Sequence, residues 1–165
     1  GTNLAFQWYG FDFNIFFQGI GHIDWYPGRE AQAFWGYYNR PYGTFIPKDF
    51  QKLCWSEDNP NAYFPRPRTA VALTENSELS TVNDRYLQNI GYCRSKNLTI
   101  GYSLPKFLTN KIGLDLVRLY FSGENLAYWS PIKTDYVDPE QARQGGTLKV
   151  YPWQKSFTFG VNINF

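Results

Sequence analysis

A single histidine, two cysteines and the lack of any basic block leave this chain few tools for chemistry. His22 alone cannot anchor a multi-histidine metal site, and no nucleophile signature joins it and Asp24 to a serine in a Ser-His-Asp arrangement. No pair of carboxylates stands out as general acid and base, because Glu57-Asp58 precede Asn59-Pro60 and read as a turn. Asp135, Asp138 and Glu140 lack an EF-hand pattern and read as solvent-exposed loop acids. A phosphate-binding glycine loop is also missing. The sequence therefore predicts no enzyme, no catalytic residue, no metal and no cofactor. Cys54 and Cys93 lie far apart, and one possible pair in 165 residues is no disulfide framework, so both are expected to be unpaired. A net charge of +2 without a Lys/Arg run gives no reason to expect nucleic acid as a partner. No run approaches the roughly 18 to 20 apolar residues that a membrane helix needs. Gly1 is not an initiator methionine and no signal peptide is visible, so a leader has been removed or the chain starts part-way through a longer one.

What the chain does have is aromatic residues and alternation. Aromatics make up 20% of it, with 6 Trp, 13 Tyr and 14 Phe, while charged residues are 18% and mean hydropathy is −0.46. That mixture fits a transmembrane barrel, whose strands average an oily face with a wet one, and it also fits a soluble β-sandwich or lectin-like domain. Composition alone favours the soluble form. In the final run Phe157, Phe159, Val161, Ile163 and Phe165 share one strand face, and Thr158, Gly160, Asn162 and Asn164 share the other. A soluble protein ending on such a strand would expose a long, sticky edge, which a barrel removes by pairing last strand with first.

Similar alternation predicts strands at about 2–8 and 11–18, joined tightly at Tyr9-Gly10, and further strands at about 86–104, 116–128 and 154–165. Between the second and third lies a loop of about 19–85, rich in Pro, Gly, Asn and aromatics, with a possible helix start at Pro47. A second polar loop runs from Pro131 to Tyr151. Unbroken parity in the third strand would put Arg94 and Lys96 on the oily face, so a β-bulge near Lys96-Asn97 is expected to turn both inward and leave Cys93 and Ser95 outward. Pro105 ends that strand. Long and short connections alternate, which gives the sequence two unlike sides and reverses the preference of composition. Five strands cannot close around a lumen, since the smallest membrane barrels use about eight. The fold class expected is thus all-β, the chain being the carboxy-terminal segment of a large antiparallel barrel.

The run Arg85-Tyr-Leu-Gln-Asn-Ile-Gly-Tyr-Cys-Arg-Ser-Lys-Asn-Leu-Thr-Ile-Gly-Tyr-Ser-Leu-Pro105 resembles the "YLR-LKNLTLGYTLP" segment of SusC/RagA-type TonB-dependent transporters of Bacteroidetes outer membranes. Leu116-Val-Arg-Leu-Tyr-Phe-Ser-Gly-Glu-Asn-Leu126 is similar to their "LRVYFSGQNL" strand. Asp138-Pro139-Glu140, Tyr151-Pro152 and Phe157–Phe165 resemble the closing "DPE … YP … FTLGVNITF". Trp25-Tyr-Pro-Gly28, Tyr38-Asn-Arg-Pro41 and Trp55-Ser-Glu-Asp-Asn-Pro60 are similar to pieces of the last large surface loop. The resemblance implies a barrel of about 22 strands with a plug domain that this sequence does not contain. It implies import of oligosaccharides or peptides, a SusD-like surface lipoprotein as lid, and TonB–ExbB–ExbD as energy source through a part not present here. Loops such as 19–85 would face outside the cell, and the turns at Tyr9-Gly10 and 105–112 the periplasm. Cys93 and Ser95 depart from the family, which usually has aliphatic residues there.

Within that frame Phe165, with Ile163 and Val161, is expected to carry the barrel-assembly signal. Trp25, Tyr26, Phe34, Trp35, Tyr37, Tyr38 and Tyr42 could stack on a sugar or a peptide side chain, or could form the core of the loop and contact a lid. Trp25, Tyr26, Trp35 and Tyr38 are the ligand candidates, together with Arg94 and Arg118 on the inward face, where pairing with other groups is the alternative. Trp8, Tyr9, Trp129, Tyr151 and Trp153 lie near strand ends and read as an interfacial girdle against outer-membrane lipid.

Overall fold

Alternating apolar and polar residues produce long antiparallel strands, and the computed structural model describes residues 1–35, 48–67, 81–146, 148–151 and 153–165. In chain order come β1 (Thr2–Trp8), β2 (Phe11–Ile20), β3 (Asp24–Trp25), α1 (Gln32–Trp35), a 3-10 turn (Phe50–Leu53), β4 (Gln88–Asn89), β5 (Tyr92–Ser103), α2 (Lys106–Thr109), β6 (Leu116–Trp129) and β7 (Ser156–Asn164). The chain divides into two units. One holds Gly1–Gly21, Gly91–Ser130 and Pro152–Phe165; the other holds His22–Ile90 and Pro131–Tyr151.

The first unit is a five-stranded antiparallel sheet in the order β1-β2-β5-β6-β7. Tyr9 and Gly10 both take positive φ, 45° and 86°, the backbone that a two-residue hairpin needs to match the strand twist. Pairing aligns Phe6, Phe13, Ile100, Phe121 and Phe159 in one row across all five strands. Rings touch within that row, Phe6 on Phe13 at 5.0 Å and Phe121 on Phe159 at 5.1 Å. The next row across is polar: Ala5, Asn14, Thr99, Ser122 and Thr158, with Thr99 Oγ1 3.3 Å from Ser122 Oγ. The oily face is open. Phe6 is 59% exposed, Phe159 79% and Val161 55%, so these side chains do not enter a closed globular interior. In water such a face would be a large apolar patch, which a folded chain keeps only where hydrocarbon or another chain covers it.

The expected bulge is present. Register shifts between Ser95 and Asn97 against both neighbours, which skips Lys96. Arg94 then pairs with Gln18 and Tyr128 and is buried, while Cys93 pairs with Gly19 and Trp129 and is exposed; Ser95, expected outward with Cys93, is buried instead. Asn125 in β6 adopts φ 51°, a second irregularity opposite the first. Cys54 is buried, Cys93 is exposed, and no disulfide joins them.

The second unit has its own core, formed by Phe34, Trp35, Phe50, Phe64, Tyr86 and Ile90 with smaller partners. The described part of the loop of about 19–85 is therefore less irregular than its composition suggests. The third long strand starts at Tyr92 and not at about 86. Tyr86 is drawn into this core, its ring 5.0 Å from Trp35, and Gln88–Asn89 pair with Asp24–Trp25 instead. Phe50–Leu53 form a 3-10 turn, a short helical turn of the kind expected there; Pro47, like Tyr37, Tyr38 and Tyr42, lies outside the described residues.

Candidate functional site

The ligand candidates read from the sequence fall in both units, Trp25, Tyr26 and Trp35 in the loop unit and Arg94 and Arg118 in the sheet. In the loop unit, Pro27-Gly28 turns the chain so that α1 folds back beneath it. Trp35 sits at the bottom, fully buried, and its indole Nε1 donates to the carbonyls of Pro27 at 3.2 Å and Gly28 at 3.0 Å. Phe34 meets Trp35 edge-on at 4.8 Å, and Trp25 meets Phe34 edge-on at 5.7 Å. Trp35, one of the ligand candidates, thus lies beyond a ligand's reach and holds the loop together. Trp25 and Tyr26 have a different position. They line an open cleft of about 450 Å³ with Arg29, Glu30 and the left-handed glycines Gly145 and Gly146. Arg29 Nε is 3.4 Å from Glu30 Oε1, so the cleft offers an aromatic wall beside a half-exposed ion pair.

Tyr26 has a fixed orientation. Its hydroxyl donates to the Thr81 carbonyl at 2.8 Å and accepts from Asn83 Nδ2 at 3.2 Å. Burial raises its pKa, and Tyr86 nearby adds to the effect. Burial likewise pushes Tyr63 up to about 12, with Tyr86 assisting, and raises Tyr86 against the pull of Arg85. All three hydroxyls are neutral near pH 7, and none is placed to act as a base. Arg29, Glu30, Gly145 and Gly146 escaped the sequence reading, because only the fold brings the 145–146 turn to the 25–30 segment.

On the polar face of the sheet, Arg118 of β6 reaches across β5 to Asp12 of β2. Its Nε donates to Oδ1 at 2.8 Å and its Nη2 to Oδ2, a two-pronged pairing between planar groups. Gly101 lies between them, and a Cβ there would run into both Asp12 Oδ1 and Arg118 Nη2. Gly160 makes the same kind of notch for the Tyr120 ring. Arg94 is also engaged, its guanidinium 4.9 Å from the Tyr128 ring centre, and Lys96 stacks on Trp153 at 4.3 Å. The sheet thus presents its cations already partnered. Asp12 could have been paired with Arg118 only by knowing the register across three strands.

Groups of three or more His, Cys, Asp or Glu able to hold a metal are absent among the described residues. No family model matches the chain. The TonB-dependent receptor P3 of Formosa agariphila is 32% identical to it over 180 aligned positions, covering 100% of this chain. The chain belongs to the TonB-dependent receptors. It spans 16% of that relative's length. Solved structures share the receptor segment's fold. The RagAB peptide importer in its 'open-open' state matches over 99% of this chain and 16% of its own, with TM-score 0.59 and 22% identity. The RagAB peptide transporter gives 0.61 and 21% over 99% of this chain and 17% of its own, and the 'closed-closed' importer gives 0.62 and 21% over 99% and 16%. In fold the receptor segment is an antiparallel sheet like the matching part of the RagAB structures.

Proposed function

We propose that this segment forms part of the wall and outer mouth of an active outer-membrane importer for oligosaccharides or peptides. The observation that carries this reading is the five-strand sheet with one face of exposed Phe, Leu, Ile and Val and the other of Asn, Thr, Ser and paired charges. Such a sheet suits hydrocarbon on one side and a wet bore on the other. The description of the RagAB structures as a peptide importer favours the peptide arm. In this reading the 19–85 loop faces outside the cell, and Trp25 and Tyr26 hold ligand in the cleft of the loop unit. Arg94 and Arg118, partnered as they are, set the field along the path without binding cargo directly. A SusD-like lipoprotein closes over the mouth, TonB–ExbB–ExbD supplies energy through another part of the receptor, and Val161, Ile163 and Phe165 are read by the barrel-assembly machinery.

The test is uptake of a fluorescently tagged oligopeptide and of a tagged oligosaccharide by cells with and without the receptor, each with and without a protonophore. Import of one of the two that needs both the receptor and the protonmotive force is expected. Uptake indifferent to the receptor overturns the proposal.

A further inference from the structure

A second cleft in the loop unit, of about 500 Å³, is lined by Trp55, Pro65, Arg66, Arg85 and Tyr86. We propose that it is a carboxylate-recognition subsite. Two guanidiniums share it, and among the described residues no acid lines it. Each lies against a ring, Arg66 4.9 Å from the centre of Trp55 and Arg85 5.9 Å from that of Tyr86.

The chain's course explains why both cations are there. Arg85 Nη2 donates to the Ala62 carbonyl at 2.5 Å and its Nε to that of Tyr63 at 3.3 Å, which clamps it to the stretch that continues into Pro65 and Arg66. Trp55 is tied to that stretch too, its N–H donating to the Phe64 carbonyl at 2.9 Å. Backbone carbonyls and a ring therefore hold Arg85, while Arg66 lies against a ring. Among the described residues Arg66 pairs with Glu57 at 3.8 Å, and both are largely exposed, so this pair is weak. Two like charges on one cleft repel, and an anion between them relieves the repulsion. The planar fork of arginine matches a carboxylate better than a point charge does. Trp55, Pro65 and Tyr86 supply apolar flanks for the carbon skeleton that carries it.

The carboxylate can come from an acidic peptide side chain or from a uronic acid unit; the chemistry at the arginines is shared. The subsite goes beyond import, and its test reads binding alone, so failure here and failure of uptake are separate results. The whole detergent-solubilised receptor is titrated calorimetrically with tri-glutamate and tri-galacturonate, and with tri-glutamine and tri-galactose as uncharged counterparts. At least one acidic probe should bind about tenfold or more tightly than its counterpart, as expected for charge-assisted hydrogen bonds. Arg66→Gln, at an exposed position that does not hold the loop, should remove most of that preference, and Glu57→Gln should strengthen binding several-fold. Preference for tri-glutamate alone assigns a peptide, and for tri-galacturonate alone a glycan. Equal binding of acidic and neutral probes, no binding by either acid, or an Arg66→Gln variant that binds like the parent overturns the proposal.

Discussion

Replacing Phe121 with arginine, and Ser122 beside it with arginine, separates the two faces of the sheet by a single residue step. Phe121 sits mid-way along β6 with its ring 5.1 Å from Phe159 and 6.3 Å from Phe157, in the row of exposed aromatics. A cation on the lipid side near the bilayer midplane costs about 2–4 kcal/mol. Losing the ring contacts adds about 1 kcal/mol, so Phe121→Arg should destabilise by about 3–5 kcal/mol. Ser122 lies in the polar row, opposite Thr99 and Thr158, where an arginine remains in water and forfeits only the 3.3 Å contact with Thr99. Its cost should stay within about 1 kcal/mol. The assay is denaturant-dependent unfolding of the receptor reconstituted in phospholipid vesicles, with the two variants compared to the parent. Equal losses, or a larger loss at Ser122, would falsify the assignment of faces and with it the membrane reading of the whole sheet.

Three further outcomes follow from the same geometry. Nitroxide labels placed singly at positions 157–162, in a background lacking Cys54 and Cys93, should alternate: oxygen collisions dominate at Phe157, Phe159 and Val161, and a water-soluble nickel chelate dominates at Thr158, Gly160 and Asn162. A double-mutant cycle with Asp12→Asn and Arg118→Met should show a coupling of about 1 kcal/mol, because the pair is two-pronged yet partly solvated; additive losses would mean the bridge contributes nothing. Tyr63, Tyr26 and Tyr86 are all harder to ionise in the fold than in the unfolded chain, Tyr63 to about 12. Their contribution to the loop unit is thus complete below about pH 10 and lost as pH rises toward 12, which tyrosinate absorbance followed alongside near-ultraviolet circular dichroism will detect as joint ionisation and unfolding.

The strands could be read from the sequence because each wall strand is two-sided, and a period of two survives in the residues themselves. Even the bulge at Lys96 was legible, since unbroken parity would have set two cations in oil. The start of β5 was not. Tyr86 and Gln88 alternate as well as any strand, and only Trp35 and Asp24–Trp25, distant in sequence, decide that they belong to the loop. For the same reason aromatic content alone could not tell Trp25, on a cleft, from Trp35, sealed in a core. Local composition is alike at both; the difference lies in what folds over them. The Asp12–Arg118 bridge and both clefts depend on contacts between segments many residues apart, where periodicity carries no signal.

The notches at Gly101 and Gly160 have a consequence for what could slip past this wall. At both places a bulky polar group, a guanidinium–carboxylate pair in one and a phenol in the other, lies over a glycine and sits closer to the sheet than any side chain there would allow. Alanine at either glycine would lift its occupant off the sheet, so along the path proposed above the smallest residues of these strands would set the clearance.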